Sequence, residues 1–186
     1  MRLFFKPNNN IPSPATYKIE YPPLLRVELL QQMAANIRSG FANFTSSEYF
    51  KSLPFSGRVA VMLTGMDGLN KIAHEFDKEA FRISQSLPSI NDLRDLEKRG
   101  QLIPVVAGYE ILIAAGFPGS LPYDRLRIIY TRENKYGDAI RVCRRYISVL
   151  KQLSTFNPTY PNIWMIPEFE DWIRKLEKKH LPEKRG

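Results

Sequence analysis

Few residues in this chain of 186 belong to the types that carry covalent or metal chemistry, and their spacing points away from it. His74 precedes Glu75, which would begin a zinc-protease face. No second histidine stands four residues away, so the two-histidine helix face that such a site needs is missing. His180 falls in the last turn of a C-terminal helix, where a partial positive charge is favourable. A single cysteine, Cys143, excludes multi-cysteine metal sites and a disulfide scaffold. It lies inside an apolar helical arc, as a small buried hydrophobe does. No dinucleotide glycine pattern, phosphate loop or serine-hydrolase elbow is present. No catalytic, cofactor-binding or metal-ligating residue is therefore assigned, and no enzyme activity is expected.

Two patterns suit binding instead. Gly65-Met66-Asp67-Gly68 has the spacing of the GxxG loop with which KH modules clamp an RNA backbone. Against this, Asp67 puts negative charge where a phosphate would approach, and the Met62–Met66–Leu69 stripe passes through the glycines in phase. The second pattern is basic. Residues 124–151 hold Arg125, Arg127, Arg132, Lys135, Arg141, Arg144, Arg145 and Lys151 against Asp124, Glu133 and Asp138, a net +5 of the chain's +8. Arg141, Arg144, Arg145 and Lys151 share one helical face, and Arg127 and Arg132 lie on the helix before it. These six are the candidate partner-binding residues. Their chemistry fits a phosphate backbone, an acidic protein surface, or no more than a solvated helix face. As isolated surface charges they would add little stability.

These groups need elements to position them, and the composition is that of a globular domain. Hydrophobic residues make up 44%, charged residues 25% and aromatic residues 12%, which excludes full disorder. No apolar run approaches the roughly 20 residues of a bilayer span. The opening Met-Arg-Leu-Phe-Phe-Lys has too short an apolar stretch for a signal-peptide core. With one cysteine and a pI near 9.6, a cytoplasmic protein without membrane contact is expected.

Residues 2–6 and 17–21 have the look of two strands, the second alternating Tyr17, Ile19 and Tyr21 with Lys18 and Glu20. Pro22-Pro23 then opens a helix over about 24–44, with the stripe Val27, Leu30, Ala34, Ile37, Phe41 and Phe44 and a weak point at Gly40. Thr45 to Glu48 forms a capping box for a short helix that Pro54 ends. Val59, Met62, Met66, Leu69, Ala73, Phe76, Ala80 and Ile83 alternate spacings of three and four, so one amphipathic helix is expected over about 58–86. Ser89 caps a helix that stops at Gly100. Val105 to Ala115 is apolar nearly all round, which implies burial. Ser120 caps a helix to about Glu133, and Asp138 to Leu153 forms another. In that helix Ala139, Ile140, Val142, Cys143, Tyr146, Ile147, Val149, Leu150 and Leu153 cover about 180° of the wheel, the arc of a helix held between two neighbours. Residues 154–167 show no helical period, and a last helix is expected over 168–180.

Residues 120–153 resemble one degenerate tetratricopeptide repeat, a 34-residue helix–turn–helix unit. Tyr123, Leu126, Tyr130, Tyr136 and Ala139 match its pattern, whereas Arg127, Cys143, Tyr146 and Lys151 depart from it. A shift of 34 residues sets Val105 under Ala139 and Tyr109 under Cys143. After a one-residue slip, Leu93 and Leu96 stand in for Leu126 and Tyr130. The resemblance implies a stacked-hairpin scaffold that binds protein or peptide and does no catalysis.

The expected fold is mainly α: antiparallel helical hairpins in a repeat-like or irregular bundle with a small N-terminal β-hairpin. Residues 1–23 form the hairpin or an extended arm, 24–153 the helical domain, and 154–186 an aromatic, proline-rich connection with a C-terminal helix packed on the same domain. The expected function is a noncatalytic helical scaffold or adaptor for a protein partner with an acidic surface. The alternative is a nucleic-acid-binding accessory protein that meets DNA or RNA through the basic face of residues 125–151.

Overall fold

The computed structural model describes residues 21–40, 45, 46, 50, 51 and 55–180, and among them every regular element is helical. The expected β-hairpin lies outside the described residues except for Tyr21, as do most of the capping-box helix and the last six residues. Two compact units are distinguished: residues 26–82, and residues 21–25 together with 83–180.

In the first unit, α1 (Pro23–Arg38) starts on its proline pair, as proline in a first helical turn should. It stops before Gly40, whose φ of 122° is a conformation only glycine holds cheaply. Val27, Leu30, Ala34 and Ile37 are buried, as their spacing requires. The second helix, α2 (Phe55–Gln85), runs unbroken through Gly65 and Gly68, so the GxxG sequence is helix interior and not a phosphate-clamping loop. Its stripe is buried at Leu69, Ala73, Phe76 and Ala80, but Val59 is 36% and Met62 58% exposed. With a rise of about 1.5 Å per residue, α2 is about twice as long as α1. The two are joined near the C-terminal end of α2, where Arg26 pairs with Glu79 at 3.3 Å and Arg38 with Asp77.

The second unit is a succession of helices in which each packs on the next: α3 (Ile90–Lys98), α4 (Leu102–Ala114), α5 (Leu121–Arg132), α6 (Tyr136–Phe156) and, after a 3-10 turn over Ile163–Met165, α7 (Ile166–His180). Ser89 caps α3 by accepting from the backbone N–H of Asp92 at 3.5 Å, and Gly100 ends it at φ 74°. Between α3 and α4 the backbones approach closely: a Cβ on Gly108 would stand 2.2 Å from the Leu93 Cδ2 atom. Gly116 turns the chain after α4 at φ 76°, and its bare Cα faces Pro22, where an added Cβ would come within 2.8 Å of the proline Cβ. The first turn of α1 joins this unit there, with the Leu24 N–H donating to the Ala115 carbonyl at 2.8 Å. Ser120 stands before α5 as expected, but its side chain makes no capping bond because its backbone is already helical, at φ −74° and ψ −26°. The connection at 154–167 is more ordered than its sequence implies, since residues 154–156 complete α6 and 163–165 make the 3-10 turn.

All nine residues of the α6 apolar arc are buried. As the width of that arc requires, α6 lies between α5 and α7. Tyr123, Tyr146 and Phe169 meet along this axis, with ring centroids 4.5 Å and 4.6 Å apart. In the first unit the fully buried Phe76 is the largest side chain of the α2 stripe. Phe76→Ala should cost about 3–5 kcal/mol in urea denaturation, the usual loss for a buried aromatic; a cost below about 0.5 kcal/mol would contradict its placement.

Candidate interaction surfaces

The six basic candidates come from α5 and α6, and most of their guanidinium groups are engaged within the unit. Arg145 donates from Nε to the Ile113 carbonyl at 3.0 Å and from Nη2 to the Ala114 carbonyl at 2.9 Å. It thereby sets a cation on the negative end of the α4 macrodipole. Arg141 donates from Nη2 and Nη1 to the two carboxylate oxygens of Glu110, at 2.6 Å and 3.2 Å, and from Nε to Asp138 at 3.3 Å. The hydrogen bond to Glu110 raises its guanidinium further above the ordinary arginine range. Arg144 donates to Glu177 on α7 at 2.8 Å. Arg127 is only 11% exposed; it pairs with Asp124 at 3.2 Å and stacks 4.0 Å from the centre of the Trp172 ring. Arg132 and Lys151 are exposed, with no ion pair among the described residues. Lys151 and Arg144 flank an open groove along α6, about 490 Å³ in volume, with Ile147, Ser148, Gln152 and Thr155.

These positions do not make one continuous basic face. Arg127 turns inward beneath Trp172, Arg141 and Arg145 reach toward α4, and Arg144 reaches toward α7. The expectation of isolated surface charges is corrected here, because Arg127, Arg141, Arg144 and Arg145 each join two helices.

Two of the links follow one plan. Glu110 on α4 also accepts from the Tyr130 hydroxyl on α5 at 2.6 Å, so that carboxylate, tyrosine and arginine come from three successive helices. One helix earlier, Glu97 on α3 accepts from the Tyr109 hydroxyl on α4 at 3.2 Å and from Arg125 Nε on α5 at 2.8 Å. Burial, reinforced by these carboxylates, pushes the Tyr109 hydroxyl up to about 12 and raises that of Tyr130 as well.

The second surface is apolar. On a wheel of 100° per residue, Ile103, Pro104, Ala107, Ile111 and Ala114 occupy one arc of α4 about 100° wide. All five are exposed, Ile103 at 87% and Ile111 at 49%. The expectation that this helix is buried on all sides is therefore corrected. Val105, Gly108, Tyr109, Leu112 and Ile113 face the core, and the opposite arc, equally apolar, faces solvent. Glu110, held by Arg141, stands at its edge. One sequence signal was available: Tyr109 and Glu110 are the only polar residues in α4, so whichever arc faced solvent had to be apolar.

His74 and His180 are both exposed, and no cluster of three or more His, Cys, Asp or Glu residues suited to a metal occurs among the described residues. Nor is any helix among them long and apolar enough to cross a membrane. Cys143 is buried, which pushes its thiol up to about 12. No family model, curated protein or solved structure matches this chain, and the tetratricopeptide resemblance finds no support there.

Two measurements test these placements. Arg145→Gln should lower stability by about 1–2 kcal/mol through loss of charge-assisted bonds to carbonyls. Lys151→Gln should stay within about 0.5 kcal/mol in the same denaturation series. Cys143, buried and with its thiol pushed well above the ordinary range, should react with a thiol reagent only as fast as the protein unfolds. Rapid stoichiometric labelling of the native protein would refute its burial.

Proposed function

We propose that this chain is a noncatalytic helical scaffold whose partner is another protein, docked on the apolar arc of α4. The observation that carries the reading is the exposure of Ile103, Ala107 and Ile111 on a face without a charged residue. Contiguous exposed apolar surface is a mark of protein–protein contact, whereas scattered single residues are ordinary. A phosphate backbone has little to gain from such a face. The residues suited to phosphate are largely engaged elsewhere: Arg141 and Arg144 would have to leave Glu110 and Glu177, and Arg145 its two carbonyls. The scaffold reading therefore gains support over the nucleic-acid alternative. An acidic rim on the partner suits the setting, because Arg145 beside Ala114 is bonded to neutral carbonyls and keeps its positive charge.

Affinity capture from native cells, with and without nuclease, tests the assignment. The unmodified protein should retain a protein partner after nuclease, and Ile103→Glu combined with Ile111→Glu should lose it while the melting temperature stays within a few degrees. Capture that disappears with nuclease, and that survives the double change but not loss of Lys151 and Arg132, would establish the nucleic-acid alternative instead.

A further inference from the structure

We infer that the end of the second unit where α5 and α7 finish docks an acidic segment of another protein, a run of Asp and Glu side chains. That the occupant is a protein rests on the scaffold reading; the surface itself shares no residue with the α4 arc. Helix direction gives the placement. A three-residue turn folds α6 back on α5. Three contacts run α7 antiparallel to α6: Tyr146 with Phe169, Arg144 with Glu177, and Gly137 beside His180, whose Cε1 would stand 3.8 Å from an added Cβ. The helices α5 and α7 therefore run the same way. Arg127 over Trp172 at 4.0 Å sets their register, and Arg132 and Lys179 lie about 7.5 Å and about 10.5 Å further along, at nearly one level.

Positive charge gathers at that end. Residues 132–135 and 178–180 hold Arg132, Lys135, Lys178 and Lys179 against Glu133, a net +3 from two stretches far apart in the chain. All four cations are exposed. Lys135 pairs with Glu133 at 2.7 Å, and the other three have no ion pair among the described residues. A cation in the last turn of α5 or of α7 is what each helix macrodipole favours alone. The fold brings the two last turns to the same end, so their fields add on one surface and favour a partner of opposite charge.

An acidic protein segment suits this surface better than nucleic acid does. The cations are few, and carboxylates border them: Glu133 beside Lys135, Asp138 in the first turn of α6, and Glu177 in α7. A long nucleic-acid backbone carries its charge past the patch and meets those carboxylates, whereas a short acidic segment ends within it. Single strands also bind by stacking bases on aromatic rings. On these elements Tyr136 is engaged against the core, and Trp172 is covered by Arg127 and Lys175.

Fluorescence anisotropy on the full chain tests the site, with a labelled peptide of about ten mixed Asp and Glu residues in about 50 mM salt, where screening is mild. The peptide should bind saturably, and DNA, single-stranded or duplex, more weakly. Lys178→Gln with Lys179→Gln should weaken the peptide about fivefold, and adding Arg132→Gln should bring the loss to about tenfold, as exposed ion pairs of modest strength require. Lys178→Arg with Lys179→Arg should retain binding. Lys71→Gln with Lys151→Gln removes the same charge from exposed positions elsewhere and should change binding less than about twofold. An equal loss in that control, no effect of Arg132→Gln, or no saturable binding overturns the site. Tighter binding of DNA, lost with the same changes, overturns the acidic-protein occupant and assigns this end to nucleic acid. Such failures leave capture through Ile103 and Ile111 untouched, and loss of that capture leaves peptide binding untouched, so the two readings fail separately.

Discussion

The larger unit depends on one column of rings. Tyr123, Tyr146 and Phe169, one each from α5, α6 and α7, are fully buried and stack at centroid distances of 4.5 Å and 4.6 Å. Each ring brings a large apolar area and a geometric preference that aliphatic side chains lack. The polar ends of the column extend its influence. The Tyr123 hydroxyl donates to the Phe117 carbonyl at 2.9 Å and so holds the turn between α4 and α5. The Tyr146 hydroxyl lies 3.7 Å from the Met165 sulfur, in the connection that leads into α7. Once these three rings meet, the rotation of α6 is set, and its nine apolar residues must face α5 and α7.

That rotation decides what becomes of the positive charge. With its apolar arc inward, α6 presents Arg141 and Arg145 to the neighbouring α4 and Arg144 to α7. There they find the Glu110 carboxylate, the α4 C-terminus and Glu177. The Glu97–Tyr109–Arg125 and Glu110–Tyr130–Arg141 links give two tyrosine hydroxyls a partner, which a buried polar group requires. Partly exposed pairs of this kind add little energy each, but Glu97–Arg125 joins α3 to α5 and Glu110–Arg141 joins α4 to α6, each across an intervening helix. Much of the basic excess in the sequence is thus part of the architecture. The α4 arc, by contrast, is an exposed apolar surface.

How far this was legible in the sequence follows from the physics of each element. The α6 arc was readable because its nine apolar residues contrast with a polar remainder, and such contrast fixes a direction. In α4 that contrast is missing: with apolar residues almost all round, the same pattern serves a buried helix and one with a bare face. The arginines were visible as a group, but their partners were not. Arg141 and Arg144 pair across 31 and 33 residues, and sequence pattern reports only neighbours one turn away. The stripe of α2 had the right phase for Leu69, Ala73 and Phe76, yet phase does not say that Val59 and Met62 at its other end stay exposed. Gly108 gave no signal beyond its identity, because the demand on it comes from Leu93 across the fold.

Site-specific photo-cross-linking in native cells addresses the central claim most directly. A photoreactive side chain would replace Ile103 on α4 in one variant and Ser148, beside Arg144 and Lys151 on α6, in another. The account predicts a discrete, nuclease-resistant adduct with a different protein at position 103 and none of comparable yield at 148. Nuclease-sensitive adducts at position 148, with no protein adduct at 103, would contradict it.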